Sequence, residues 1–125
     1  GEIKTFEDLD VWKRGCQLAV DIISAFHKFS VSSLRDQVQR CSLSIPSNIA
    51  EGYGRYFFKE NRNFCFYSRG SLLETKNWLT KASKRDIIDK DLYHQLISDI
   101  ESLHKSLNAY IKHIGNQAKT STNNQ

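Results

Sequence analysis

The feature that most constrains the fold is the apolar spacing near the end of the chain. Between residues 92 and 114, apolar side chains recur every three or four positions, which is the period of one helix face. They are Leu92, Leu96, Ile100, Leu103, Leu107, Ile111 and Ile114. Asp89 can cap this helix, and Gly115 is expected to end it. We predict a helix over residues 89–114 and a polar C-terminal tail over residues 116–125.

Three earlier segments show the same period. The first predicted helix covers residues 7–29, begins at a capping box of Thr5 and Asp8, and has the apolar face Leu9, Trp12, Cys16, Ala19, Ile23 and Phe26. The second covers residues 33–53, ends at Gly52 and Gly54, and has the face Leu34, Val38, Cys41, Ile45 and Ile49. The third covers residues 58–84, with the face Phe64, Cys65, Ser68, Leu72, Thr75, Leu79 and Ala82.

These segments predict one all-α domain over residues 6–115. The predicted connections are about three to seven residues long, which favours antiparallel neighbours. No alternating strand pattern competes with the helical period. The expected architecture is an antiparallel up-down four-helix bundle.

Pro46, the only proline in the chain, lies inside the second predicted helix. A proline in a helix removes one backbone hydrogen bond and costs about 3 kcal/mol. The apolar face nevertheless keeps its phase from Leu34 to Ile49, which favours one helix kinked at Pro46. Nearby small polar residues can satisfy the freed Ser42 carbonyl: Ser42, Ser44, Ser47 and Asn48. The alternative is two short helices, with Pro46 in the first turn of the second.

Composition and cysteine usage indicate a globular protein without a membrane span. Of the 125 residues, 39% are apolar and 26% are charged, and no apolar run approaches the length of a membrane helix. Three widely spaced cysteines, Cys16, Cys41 and Cys65, cannot all pair within one chain. This pattern is typical of a reducing compartment, so we expect a cytoplasmic location.

No motif indicates catalysis. Glu101 and His104 have the E-x-x-H spacing of di-iron bundles, but the set of ligands is incomplete. The three cysteines fall on the apolar faces of different helices and lack a fourth metal ligand. Gly52-x-Gly54-Arg55 follows a helix and lacks the Gly-Lys-Ser/Thr end of a phosphate-binding loop. We expect a non-enzyme with no catalytic, cofactor or metal site and no small-molecule substrate.

Positive charge is concentrated in the third segment and its exit. Residues 59–90 hold eight basic and four acidic residues, which accounts for the whole formal charge of +4. Aromatic residues lie at the head of the same segment: Tyr56, Phe57, Phe58, Phe66 and Tyr67. Such a combination can bind phosphates and stack bases. It is equally typical of an ordinary exposed helix beside a buried face.

Three stretches carry a family resemblance: FEDLDVWKRGCQLAVDI at residues 6–22, LRDQVQRCSLSIPSNIAEGYGR at residues 34–55 and SRGSLLE at residues 68–74. Together they resemble the bacterial 23S rRNA intervening-sequence proteins, over about residues 6–114. The accessory variability proteins of diversity-generating retroelements look like distant relatives. Four departures from the family pattern leave the start of the third helix open: Cys41, Phe57, Asn61 and Arg62.

The resemblance implies a homopentamer of four-helix bundles that binds RNA, either rRNA or its insertion. The alternative is a protein-interaction scaffold, or a retroelement accessory protein that binds a reverse transcriptase and nucleic acid. The family signature falls on Arg40, Pro46, Ser47, Asn48, Glu51, Gly52, Arg55, Arg69, Gly70, Ser71 and Glu74.

Two roles are open for these residues. The first is a subunit interface, in which Glu51 pairs with Arg55, Arg69 and Glu74 extend the network, and Gly70 and Ser71 allow close helix approach. Its residues are Ser47, Asn48, Glu51, Arg55, Arg69 and Glu74. The second is direct contact with nucleic acid through basic side chains. That set is Arg40, Arg55, Arg62, Arg69, Lys76, Lys81, Lys84 and Arg85.

Overall fold

The four predicted apolar faces meet in one core. The structure is a computed structural model that describes residues 1–26 and 32–120, and within these ranges it contains four α-helices, one 3-10 helix and no strand. Each α-helix packs against two others in a closed square: α1 against α2, α2 against α3, α3 against α4, and α4 against α1. The all-α four-helix bundle is therefore confirmed.

The elements have the following bounds. A 3-10 helix at Phe6–Asp8 precedes α1 at Asp10–Phe26, and α2 covers Ser32–Tyr53. The third helix, α3, covers Phe58–Lys84 as predicted, and α4 covers Lys90–Thr120. Residues 27–29 of the first predicted helix and residues 121–125 of the predicted tail lie outside the described part of the chain. No described helix combines the length and apolarity needed to cross a membrane.

Contacts between neighbouring helices show how α2, α3 and α4 align. Ser68 of α3 meets Ile45 of α2, and farther along α3 Thr75 meets Cys41. These contacts run in opposite order along the two helices. Contacts between α3 and α4 do the same, pairing Arg69 with Asn108 and Thr80 with Tyr93. The up-down order of the whole bundle stays a prediction.

Pro46 lies within one continuous α2, so the two-helix alternative is wrong. Polar side chains donate to carbonyl oxygens just after Ser42 instead of to Ser42 itself. Ser47 Oγ donates to Leu43 (2.9 Å), Asn48 Nδ2 to Ser44 (2.9 Å) and Ser68 Oγ of α3 to Ile45 (2.7 Å). These bonds help the helix to pass through its proline. The kink stays a prediction.

The first helix begins later than predicted, and its buried face is rotated. Thr5 and Asp8 form the predicted capping box, but it caps the 3-10 helix, and two backbone N–H groups hold the pKa of Asp8 below its ordinary value. Leu9 is extended and turns into the core before α1 begins. The buried face is Val11, Gly15, Leu18, Ala19, Ile22 and Phe26. Gly15 belongs to it because α2 passes close by, with Pro46 Cβ 3.4 Å from the position of an added Cβ.

Gly115 does not end the fourth helix, which continues to Thr120, so the predicted end at residue 114 is wrong. No described glycine has a positive φ, so Gly115 is not a left-handed cap. Its small size admits a neighbour instead, because Arg62 Nη1 lies 3.1 Å from where a Cβ would be. Asp89 caps the start as predicted, accepting from the backbone N–H of Asp91 and Leu92. Leu92 itself is exposed, unlike the rest of its predicted face.

Gly52 lies in the last turn of α2, and its role is close packing. An added Cβ would lie 2.8 Å from both the carbonyl and the side-chain oxygen of Asn61, and 2.9 Å from Phe64 Cβ. Relieving this clash would require a shift of the helix backbones, because the blocking atoms include a backbone carbonyl oxygen and a Cβ. Gly54 lies beyond the helix end, with its nearest neighbours 3.6 Å or more away.

We predict that Gly52→Ala lowers the free energy of unfolding by about 1–3 kcal/mol, since it overpacks a tight helix contact. Gly54→Ala is the matched control and should change stability by under about 1 kcal/mol, because it has room and no positive φ. Urea unfolding followed by circular dichroism measures both. Equal effects of the two substitutions would contradict the close packing at Gly52.

Candidate functional site

The family-signature residues of α2 lie beside a polar contact between α2 and α3. Ser44 is at its centre: Asn48 Nδ2 and Ser71 Oγ both lie 2.9 Å from Ser44 Oγ. Deeper in the bundle, Thr75 Oγ1 donates to Cys41 Sγ (3.3 Å). Asn48 and Ser71 thus bond within the chain, and Ser71 makes the close helix approach predicted for it.

Glu51 and Arg55 form the predicted i,i+4 ion pair on the exposed surface, with 2.6 Å between Arg55 Nη2 and Glu51 Oε1. The Arg55 guanidinium also lies 4.7 Å from the centre of the Phe64 ring on α3. Ion pairs this exposed contribute little to stability, up to about 1 kcal/mol. The pair therefore orients Arg55 more than it stabilises the fold.

Within one chain Arg69 does not extend this ion pair, and the network predicted for a subunit interface stays a prediction. Its Nη1 donates to Asn108 Oδ1 of α4 at 2.9 Å, and its guanidinium covers the Phe66 ring at 5.0 Å. Arg69 and Glu74 are five positions apart on α3, which places them on different sides of that helix. Glu74 is exposed on the side that faces α2, near Cys41.

Gly70 was predicted to allow close helix approach, and within the described chain it does not. A Cβ added there would have no neighbour within 4 Å. Gly70 is exposed on α3 between two exposed apolar side chains, Phe66 and Leu73. The spacing of four and three places all three residues on one face. We call Phe66, Gly70 and Leu73 the outer strip of α3.

The predicted basic contacts do not form one patch within a chain. Lys81, Lys84 and Arg85 are exposed at the end of α3, and Lys81 Nζ lies 5.1 Å from the centre of the Trp78 ring. Arg62, near the start of α3, is half-buried, and its Nε is buried without a partner. At about 1.5 Å per residue, the two ends of this basic set are about 35 Å apart.

The other predicted basic residues are dispersed between these ends. Arg40 is exposed on α2, where its guanidinium donates to Gln37. Lys76 is half-buried on α3, one position after Thr75, which contacts Cys41 of α2. Arg40 therefore lies on the half of the bundle that holds the end of α3, while Arg55 belongs to the opposite half.

A cleft of about 600 Å³ opens at the end of the bundle where α2 leads into α3. We call it the end cleft, and sequence reasoning missed it because its residues come from three separate parts of the chain. They are Ile3, Leu9, Tyr53, Arg55, Phe58, Asn61, Tyr110, His113 and Gln117. Burial raises the pKa of Tyr110 to about 12, against a hydrogen bond with Asn61 that lowers it.

Two comparisons with known proteins place the chain. A family model described as 23S rRNA-intervening sequence protein matches residues 7–109. The chain belongs to this family. A solved structure from Bacteroides thetaiotaomicron, titled a protein with unknown function from the S23 ribosomal protein family, is similar in fold. The TM-score is 0.74 at 23% identity, over 82% of this chain and 98% of that one. No curated protein matches the chain.

In this member of the 23S rRNA-intervening sequence family, all three cysteines are free thiols in the bundle. Burial raises the pKa of each, and that of Cys65 reaches about 12. Cys41 and Cys65 are buried, whereas Cys16 is half-buried. Within residues 1–26 and 32–120, no three His, Cys, Asp or Glu side chains are grouped so that they could hold a metal ion.

We predict that iodoacetamide at pH 8 alkylates Cys16 at least about tenfold faster than Cys41 or Cys65. Only the thiolate reacts, and burial suppresses both its formation and its accessibility. Peptide mass spectrometry over time gives the three rates. In 8 M urea the three rates should converge, which is the control. Fast labelling of Cys65 in the folded protein would contradict its burial.

Proposed function

We propose that this protein is a non-enzymatic homopentamer that binds RNA, either 23S rRNA or the inserted sequence, through a summed basic surface. The observation that carries the proposal is the exposed basic group at the end of α3, in a chain that belongs to the 23S rRNA-intervening sequence family. Lys81, Lys84 and Arg85 take no part in the ion pairs Arg14–Asp10 and Arg55–Glu51.

In this proposal, assembly into a pentamer gives the protein enough positive charge to bind RNA. One chain carries a formal charge of +4, and its basic residues are spread over the length of α3. Five chains carry +20, and repetition of the α3 end around a ring brings several weak phosphate contacts to one RNA. Binding driven by such contacts releases counterions and falls steeply with salt.

The outer strip of α3 supports self-association. Glycine inside a helix costs about 1 kcal/mol relative to alanine, and nothing in the described chain requires it at Gly70. The flanking Phe66 and Leu73 are large exposed apolar side chains, 38% and 51% accessible. A second copy packed on this strip would bury both and would need the small residue between them.

RNA binding should depend on the basic end of α3. We predict that replacing Lys81, Lys84 and Arg85 by Gln makes the slope of log affinity against log salt shallower by about 2 for each subunit that contacts the RNA, since each single-strand phosphate contact adds roughly 0.7. Fluorescence anisotropy with a labelled 23S rRNA fragment, from 50 to 300 mM salt, measures it.

The matched control replaces three exposed lysines of α1 and α4 by Gln: Lys13, Lys105 and Lys112. It removes the same charge and should leave the slope within about 0.7 of the starting protein. Equal losses in both triple variants would contradict a defined basic surface. Absence of binding by the starting protein at low salt would overturn RNA binding altogether.

The Glu51–Arg55 pair distinguishes assembly from RNA contact. If the pair belongs to a subunit interface, Glu51→Ala yields a smaller species by light scattering. Glu101→Ala on α4 is the control and should leave the mass unchanged, because Glu101 is exposed and outside the predicted interface. An intact pentamer with altered RNA affinity would instead assign Glu51 and Arg55 to RNA binding.

A further inference from the structure

The end cleft combines the three kinds of side chain that hold an unpaired nucleotide. Aromatic rings enter it from three helices: Tyr53 from α2, Phe58 from α3 and Tyr110 from α4. Arg55 supplies a permanent positive charge, and His113 supplies a further ring nitrogen. Asn61 and Gln117 add amide donors and acceptors. The volume of about 600 Å³ falls within the range of roughly 300–1,000 Å³ for small-molecule sites.

Charge also separates this cleft from others on the molecule. None of the nine described residues that line it is acidic. Three other clefts, along α1 and α4, are each lined by at least one carboxylate: Asp21 and Asp99 in two of them and Glu101 in the third. Two of those clefts also hold a basic residue, Arg14 or Lys105, but a phosphate there would meet a carboxylate of the lining as well. In the end cleft the only charged group of the lining is the Arg55 guanidinium, whose Nη2 is paired with Glu51 outside the lining.

Arg55 is held in position before any ligand arrives. Glu51 binds its Nη2, and the Phe64 ring packs against its guanidinium, so little side-chain freedom remains to be lost. The loop that follows Arg55 carries two more exposed rings. Tyr56 and Phe57 pack edge to face with 4.9 Å between ring centres, and Tyr56 is 75% accessible. Exposed aromatic rings beside a cation are what single-stranded nucleic acids stack on.

We propose that the end cleft binds one unpaired nucleotide of single-stranded RNA. Its base lies among Tyr53, Phe58 and Tyr110, and its phosphate lies at Arg55. The amides of Asn61 and Gln117 face the edge of the base. This inference rests on the proposed RNA-binding function and assigns it a site that contacts bases, whereas the basic end of α3 contacts phosphates alone.

The test compares two labelled RNA probes of equal length and charge, an oligouridine and the same backbone with abasic sites. Stacking is lost with the bases, while the phosphates remain. We expect the starting protein to bind the intact probe about tenfold more tightly than the abasic one, with similar salt slopes. Fluorescence anisotropy at fixed salt gives the ratio of the two affinities.

Phe58→Leu and Tyr67→Leu are a matched pair on α3. The first removes a ring from the end cleft, and the second removes an exposed ring that lies outside both the end cleft and the outer strip. Phe58→Leu should reduce the intact-to-abasic affinity ratio to below about threefold, and Tyr67→Leu should leave it unchanged. Because Phe58 is partly buried, circular dichroism checks that the variant is folded. Arg55→Gln, a surface change, should weaken binding of both probes while keeping the ratio.

The outcomes distinguish a failure of the end-cleft proposal from a failure of the proposed RNA-binding function. Equal affinity of the starting protein for both probes, with a steep salt slope, overturns the base-binding cleft and leaves RNA binding through the basic surface intact. An equal fall of the ratio in the Phe58→Leu and Tyr67→Leu variants also overturns the cleft. No binding of either probe at low salt overturns the proposed function and the cleft together.

Discussion

The close contact between α2 and α3 organises the rest of the structure. At Gly52 the two helices approach until the next atoms would lie 2.8–2.9 Å from an added Cβ. Farther along, Ser68 donates to the Ile45 carbonyl and Ser71 bonds to Ser44. This contact is narrow and partly polar, so it fixes the register of the two helices more sharply than apolar packing alone. The same contact supports α2 as one continuous helix through Pro46.

Two consequences of that contact bear on function. The residues just after Gly52 emerge at the bundle end, where Tyr53, Arg55 and Phe58 meet Tyr110 of α4 in the end cleft.

The signature side chains divide into two kinds. Asn48 and Ser71 are half-buried and bond to the Ser44 side chain, while Ser47, Glu51 and Arg55 bond to near neighbours in the sequence and remain exposed beside the contact. Internal packing therefore explains the first kind, and the second kind is available to a partner.

Much of the fold could be predicted because large apolar side chains report helix faces directly. The faces of α2 and α4 followed from such residues, apart from exposed Leu92. The roles of the glycines could not be predicted, because a glycine has no side chain and a hydropathy pattern does not show which side of the helix it packs on. Gly15 is buried against Pro46, and Gly52 and Gly115 admit close neighbours, so none of the three signals its role by periodicity. The extension of α4 to Thr120 was missed for the same reason.

The candidate site was harder to predict, since it depends on which helix lies on which side. Sequence spacing pairs Glu51 with Arg55 within one helix, and the structure confirms that pair. Spacing cannot show that Arg69 turns toward α4. The end cleft joins residues from Ile3 to Gln117, nearly the full chain, so no local pattern contains it.

The central claim is that this family member binds RNA as an assembled basic surface. The most direct measurement is sequencing of the nucleic acid that co-purifies with the tagged protein at low salt, against the variant lacking Lys81, Lys84 and Arg85. The account predicts RNA enriched in 23S rRNA or its insertion, and a strong loss of that RNA in the variant. Recovery of no RNA, or of equal RNA with both proteins, would contradict it.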